Sequence, residues 1–320
     1  MFFKLFMLWM LMITIIISMS SKFWFLYWLM MEMNLMMFIP ILNNKKIYSC
    51  NSMMSYFIIQ SISSSIFFFG SIMWFCQNLF FFKNLIIISI LIKLAMFPFH
   101  SWLLMISETL NFFSLSLMLT MQKMIPLLFL SKISEKLLII MAIMSSTFGS
   151  ILMINLKLTR KILISSSISH LGWISILISF KSKFWFIYMI MYSYIIIKLF
   201  HNFNKNKIYS MNNILNKNYS NNEMINYFCM MLSLGGIPPF LGFFMKLFSM
   251  IIILKYSFYI MIILIMSSLL NIFIYIRMIM PFLIFKKNLM KKMISPKNFW
   301  KIIFNLNLFF LIFVLNFSMY

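Results

Sequence analysis

Four charged residues of this 320-residue chain sit inside long apolar runs, where charge is costly. Glu32 lies within MEMNLMMFIPIL, Lys93 within LIKLAMFPFHSW, Lys123 within LTMQKMIPLL and Lys246 within SLGGIPPFLGFFMKLF. Most other lysines stand at the ends of such runs, where a long side chain reaches an interface and needs no functional account. A charge at the centre of a membrane helix costs about 2.5–3.5 kcal/mol on insertion scales, so these four should face a protein interior or water. Lysine, glutamate and histidine can hand a proton along through intervening water. The chemistry to expect is therefore proton transfer. Glu32 is the one acidic residue embedded in the middle of a run, which makes it the natural partner of Lys93. Burial disfavours a lysine's charge and a nearby carboxylate favours it, so the protonation of Lys93 would follow the position of that partner. His100 and Glu108 lie beyond Lys93 and extend the same set, while His170, in SSSISHLGW, is either a packing hydrogen-bonder or a proton carrier. Any single lysine could be an accident of base composition. Gln122 beside Lys123 and Pro126 just after it weaken that reading there and point to a hydrated pocket.

The elements that must hold these residues are membrane helices. Hydrophobic residues make up 63% of the chain and charged residues 10%, and the mean hydropathy is +1.00. A soluble domain is nearer half apolar and about a quarter charged. The apolar runs have the length that spans a hydrocarbon layer of about 30 Å as helix. Their positions predict an all-α polytopic protein of about eleven transmembrane helices, at roughly 4–20, 23–42, 53–76, 84–100, 112–131, 137–155, 162–180, 184–200, 226–253, 257–285 and 299–318. The separators are too short for a soluble domain, so residues 1–320 form one membrane domain. Two spans carry helix breakers. Gly235, Gly236, Pro238 and Pro239 interrupt the ninth ahead of Lys246, and Pro98 follows Lys93 in the fourth. Broken membrane helices are tolerated where the released carbonyls meet protein or water, and transporters place ions there. The loops hold more basic residues on the side of the N-terminus, which predicts that the N-terminus faces the positive-inside compartment.

Composition excludes several classes. The net charge of +23 is spread over the ends of apolar runs and forms no basic stripe, so nucleic acid is not an expected partner. Cys50, Cys76 and Cys229 have no metal-ligand spacing, the three histidines are isolated, and no dinucleotide or phosphate-binding glycine pattern appears, so neither a metal nor a bound cofactor is expected. The abundance of Met (36), Phe, Ile, Asn, Lys and Tyr, with Asp absent, fits an AT-rich mitochondrial gene read with the animal mitochondrial code.

Around these residues the sequence resembles the subunit 2 family of mitochondrial NADH dehydrogenase, the smallest antiporter-like subunit of respiratory complex I, in an insect-like version. The likeness runs in order through the four motifs quoted above and RKILISSSISHLGW, over most of residues 20 to 280. It implies two inverted five-helix repeats, roughly 1–131 and 137–285, each with one discontinuous helix, followed by a C-terminal helix at 299–318. It implies that Glu32 and Lys93 form a modulating ion pair, that Lys123 is the central relay and that Lys246 is the exit-side lysine. NADH, FMN, iron–sulfur clusters and ubiquinone would then sit on partner subunits, and this chain would move protons. Implied partners are the other antiporter-like and small membrane-arm subunits and phospholipids such as cardiolipin. The implied location is the mitochondrial inner membrane, with the N-terminus in the matrix and the C-terminus in the intermembrane space. Leu94, Met96 and Phe97 stand where the family carries small residues, so a milder break is expected in the fourth span. Other readings are a free-standing cation/proton antiporter and an assembly scaffold without a proton path of its own.

Overall fold

Inside a bilayer no water is present to satisfy the backbone, so a single-chain span of this composition closes its hydrogen bonds within each segment as helix. A computed structural model describes residues 2–43, 47–133, 136–210 and 221–285, apart from the side chains of 47–49, 221–225 and 281–285. The helix expected at 299–318 lies outside the described residues. In chain order the helices are α1 (Phe2–Ser20), α2 (Trp24–Leu42), α3 (Ile47–Gln77), α4 (Phe80–Leu94), α5 (Ser101–Ile106), α6 (Phe112–Leu119), α7 (Met121–Leu130), α8 (Lys136–Asn155), α9 (Thr159–Ser179), α10 (Phe184–Asn206), α11 (Asn221–Gly235), α12 (Leu241–Leu254) and α13 (Phe258–Phe285). Among the described residues, eight helical stretches are long and apolar enough to cross a membrane, with α6 and α7 counted as one. The interrupted pairs α4–α5 and α11–α12 complete the bundle. β-structure among the described residues amounts to an isolated bridge between Leu158 and Ser210.

The break in the fourth span is complete, not mild. Helix α4 stops at Leu94, and Ala95 takes the left-handed conformation at φ +54°. The Ala95 N–H donates to the Ile92 carbonyl at 3.1 Å and the Met96 N–H to the Leu91 carbonyl at 3.1 Å. That pairing satisfies the helix's last carbonyls as a Schellman cap does. The ninth span ends its first half in the same way. Gly236 sits at φ +81°, its N–H reaches the Ser233 carbonyl at 3.2 Å, and the Ile237 N–H reaches the Leu232 carbonyl at 3.3 Å. Position by position, Ala95, Met96, Pro98 and Phe99 match Gly236, Ile237, Pro239 and Phe240, and the peptide before each matched proline is cis. Larger residues at 94, 96 and 97 did not preserve the helix, because capping and the proline end it whatever the side-chain volume. A third interruption was not expected. At Thr120 the backbone departs to φ −114°, ψ −77° and divides α6 from α7, three residues before Lys123.

Helix α9 runs through the centre, with nearly all of its residues buried. Its serines are compatible with that place because each hydroxyl donates to a carbonyl three or four residues back, as Ser166 does to Leu163 at 2.7 Å. Gly172 lets α8 lie directly against it, since a Cβ there would come within 2.7 Å of the Ala142 carbonyl oxygen. Helix α13 is tied to the end of α8 by Arg277, whose guanidinium donates to the Ile154 carbonyl at 2.7 Å and the Met153 carbonyl at 3.2 Å. The outer faces carry exposed Trp9, Phe75, Tyr259, Met266 and Phe273, the apolar surface a lipid-facing bundle requires.

Candidate functional site

The three lysines predicted to lie mid-membrane are buried: Lys93 is 9% exposed, Lys123 3% and Lys246 4%. None snorkels. Each is placed by an interruption in its own span. Lys93 occupies the last turn of α4, where the oriented peptide dipoles present partial negative charge to an ammonium. Lys123 follows the Thr120 departure, and Pro126 one turn later cannot donate to the carbonyl of Gln122. Lys246 reaches back from α12 and donates to the Gly235 carbonyl at 2.6 Å, at the C-terminal end of α11. Gly236 leaves room for that reach, since a Cβ there would lie 2.8 Å from the lysine's Cδ and 3.2 Å from its Nζ.

Glu32, half-buried on α2, acts electrostatically on Lys93 without a contact ion pair. Lys93 and Lys123 both line a small cavity of about 20 Å³, together with Tyr56, Gln60, Trp102 and Gln122. That volume is enough for about one water molecule, and amide, hydroxyl and ammonium groups supply the partners such a water needs. Polar groups continue outward from it: Tyr56 donates to the Gln122 side-chain oxygen at 3.2 Å, and Gln122 donates to Asn34 at 3.0 Å. On its other side Lys123 donates to the Ser167 hydroxyl of α9 at 3.1 Å. One turn on, His170 is 1% exposed and pairs through Nδ1 with the Tyr188 hydroxyl at 2.8 Å. Both Lys123 and Lys246 act electrostatically on His170. Its Nε2 has no hydrogen-bonding partner among the described residues. The Tyr192 ring lies 5.1 Å from the imidazole, and its hydroxyl is close to Ser167.

Lys93, Lys123, His170 and Lys246 are therefore all buried inside the bundle, and Glu32 is half-buried on α2. Of the other two expected members, one has a ring contact of its own and the other lies at the surface. His100 begins α5 with its ring stacked on Phe97 at 6.1 Å. Glu108 is exposed in the connection between α5 and α6, where it pairs with Lys161. The polar residues missed by sequence reasoning are Asn34, Tyr56, Gln60, Ser167, Tyr188, Tyr192 and Tyr275. Gln60 within an apolar run and the serines just before His170 were signals that could have found some of them. Among the described residues no cluster of histidine, cysteine and carboxylate side chains could hold a metal ion.

Residues 76–271 match the family model described as NADH:quinone oxidoreductase/Mrp antiporter, TM. NADH-ubiquinone oxidoreductase chain 2 of Rhipicephalus sanguineus is 45% identical over 255 residues, covering 80% of this chain and 82% of the relative. The protein of the same name from Anopheles gambiae is 33% identical over 72% of this chain and 71% of its own. Among solved structures, a chain of respiratory complex I from Thermus thermophilus with bound aureothin superposes with a TM-score of 0.78 at 14% identity. The match covers 88% of this chain and 70% of that one, a likeness of fold.

Proposed function

We infer function from family membership: this chain belongs to the NADH:quinone oxidoreductase/Mrp antiporter transmembrane family. It is the proton-translocating membrane subunit of an NADH:ubiquinone oxidoreductase in the mitochondrial inner membrane. NADH oxidation, electron transfer through FMN and iron–sulfur clusters, and ubiquinone reduction belong to its partner subunits. Those partners are the other antiporter-like and small subunits of the membrane arm. Its N-terminus faces the matrix, and its two broken spans belong to inverted repeats.

The observation that carries this reading is the single cavity shared by Lys93 and Lys123, with Lys123 bonded onward to Ser167 of the central helix. In a region of low polarity two neighbouring ammonium groups repel, so a proton on Lys93 disfavours one on Lys123. When Glu32 lies close, it holds charge on Lys93; when it withdraws, Lys93 releases that charge and Lys123 becomes the favoured site. From Lys123 the proton passes to His170, whose Nε2 is the ring atom left to receive it while Nδ1 is held by Tyr188. Lys246 receives it next, stabilised by the carbonyl end of α11. The conformational drive from quinone chemistry acts on the Glu32–Lys93 separation.

Lys93→Met, Lys123→Met and Lys246→Met made separately in the assembled complex test the proposal. Removing a proton-transfer group from an obligatory path lowers turnover by roughly 100-fold or more. Assembly should be kept, while NADH:ubiquinone turnover or the ratio of protons to electrons collapses. Normal turnover with a normal ratio in all three variants would mean that the chain is a scaffold. Sodium-dependent transport by the chain alone would favour a free-standing antiporter.

A further inference from the structure

A cavity of about 590 Å³ lies between α6, α10 and α11. Its walls are apolar: Phe113 and Leu117 from α6, Ile197 and Phe200 from α10, and Met230 from α11. Phe113 is 50% exposed and Ile197 41%, so the cavity opens sideways onto the outer surface of the bundle. Apart from Ser116 of α6, its polar lining comes from the last turns of α10 and the start of α11. Lys198, His201, Asn202 and Asn204 lie in the last turns of α10, and Asn226 lies near the start of α11. That is the order of a phospholipid seated in a bilayer, headgroup at the membrane surface and chains against an apolar wall.

The charge at this end selects the headgroup. Lys198, which lines the cavity, is half-buried, donates to the Tyr194 hydroxyl and lies 4.2 Å from the centre of that ring. Lys205 and Lys207 follow on the same chain end. The bridge between Leu158 and Ser210 brings Arg160 and Lys161 to the same side, and the exposed Glu108 there is already engaged by Lys161. Basic pockets between membrane helices on the positive side attract anionic lipid headgroups. We propose that the crevice between α6, α10 and α11 holds one anionic phospholipid, with its phosphate on Lys198 and an acyl chain along Phe113, Ile197 and Met230. This proposal is independent of the proton route.

The test uses the assembled complex in its own membrane, loaded with phosphatidylglycerol or phosphatidylcholine carrying the same photoactivatable acyl chain. Cross-linked peptides are then mapped by mass spectrometry. Phosphatidylglycerol should label the peptides around Ile197 and Met230 several-fold more than phosphatidylcholine. Lys198→Met should reduce that labelling to the phosphatidylcholine level and Lys198→Arg should restore it. Ile197→Trp, which narrows the crevice from an exposed position, should lower labelling by both lipids. Equal labelling by the two headgroups, or full labelling of Lys198→Met, would overturn the proposal. So would an unlabelled crevice on a complex whose exposed Trp9 face labels normally, because a neighbouring subunit would then cover the site. Should Lys198→Met fail to assemble, the comparison of headgroups on the unaltered complex decides alone.

Discussion

At the residue scale, Ser167 ties Lys123 of α7 to the central helix α9 without being ionisable itself. Its hydroxyl accepts from Lys123 at 3.1 Å while donating to the Ile164 carbonyl at 2.7 Å. Ser167→Ala leaves a buried ammonium short of a partner and should destabilise by about 1.5–3 kcal/mol, the range for hydrogen bonds to charged groups. The expected outcome is a lower midpoint of thermal inactivation and a turnover loss smaller than that of Lys123→Met. An unchanged midpoint and turnover would remove Ser167 from the path. The buried ionisable residues were legible in the sequence, since a charge inside an apolar run has few explanations. Ser167, Tyr188 and Tyr56 were not, because serine and tyrosine occur throughout these helices at little cost. Only packing reveals which hydroxyls face the lysines. Packing also removes Glu108 from that set, by giving it Lys161 at the surface.

At the element scale, the interrupted spans set the lysines' depth. In the ninth span two glycines do different work. Gly236 occupies the left-handed region, so Gly236→Ala costs roughly 1–2 kcal/mol and crowds the flexible end of Lys246. Gly242 is where α12 crosses the end of α11, and a Cβ there would fall 1.5 Å from the Ser233 carbonyl oxygen. No rotamer relieves a backbone clash. Gly242→Ala should abolish assembly, seen as loss of the intact complex on a native gel, whereas Gly236→Ala should assemble with lowered stability. The fourth span carries Ala95 at the matching left-handed position, so Ala95→Gly should be accepted there. Assembly of Gly242→Ala at wild-type levels would refute this account of the crossing.

At the scale of the whole molecule, the bundle's direction through the membrane is testable on native cysteines. Helix α3 runs from Ile47 to Gln77, with Cys50 near one end and Cys76 near the other, both exposed. If the N-terminus faces the matrix, α2 brings the chain back to that side and Cys50 lies there too. A membrane-impermeant maleimide should then label Cys76 in mitoplasts and Cys50 only in inverted vesicles. The opposite pattern would reverse the orientation read from the basic loops.

What the sequence determined alone was the solvent, the class of fold and the charges that had to be hidden. Hydropathy is a sum over neighbours in the chain, and helix is what such runs form in hydrocarbon. Family likeness added the pairing of two broken spans. The tertiary structure decided the rest. It completed the break at Ala95 that bulky neighbours had suggested would be mild, and introduced the departure at Thr120. It also buried His170 against Tyr188 and left Glu108 at the surface with Lys161. These outcomes depend on which atoms meet across helices far apart in the chain, and distance along a sequence carries no information about that until the bundle closes.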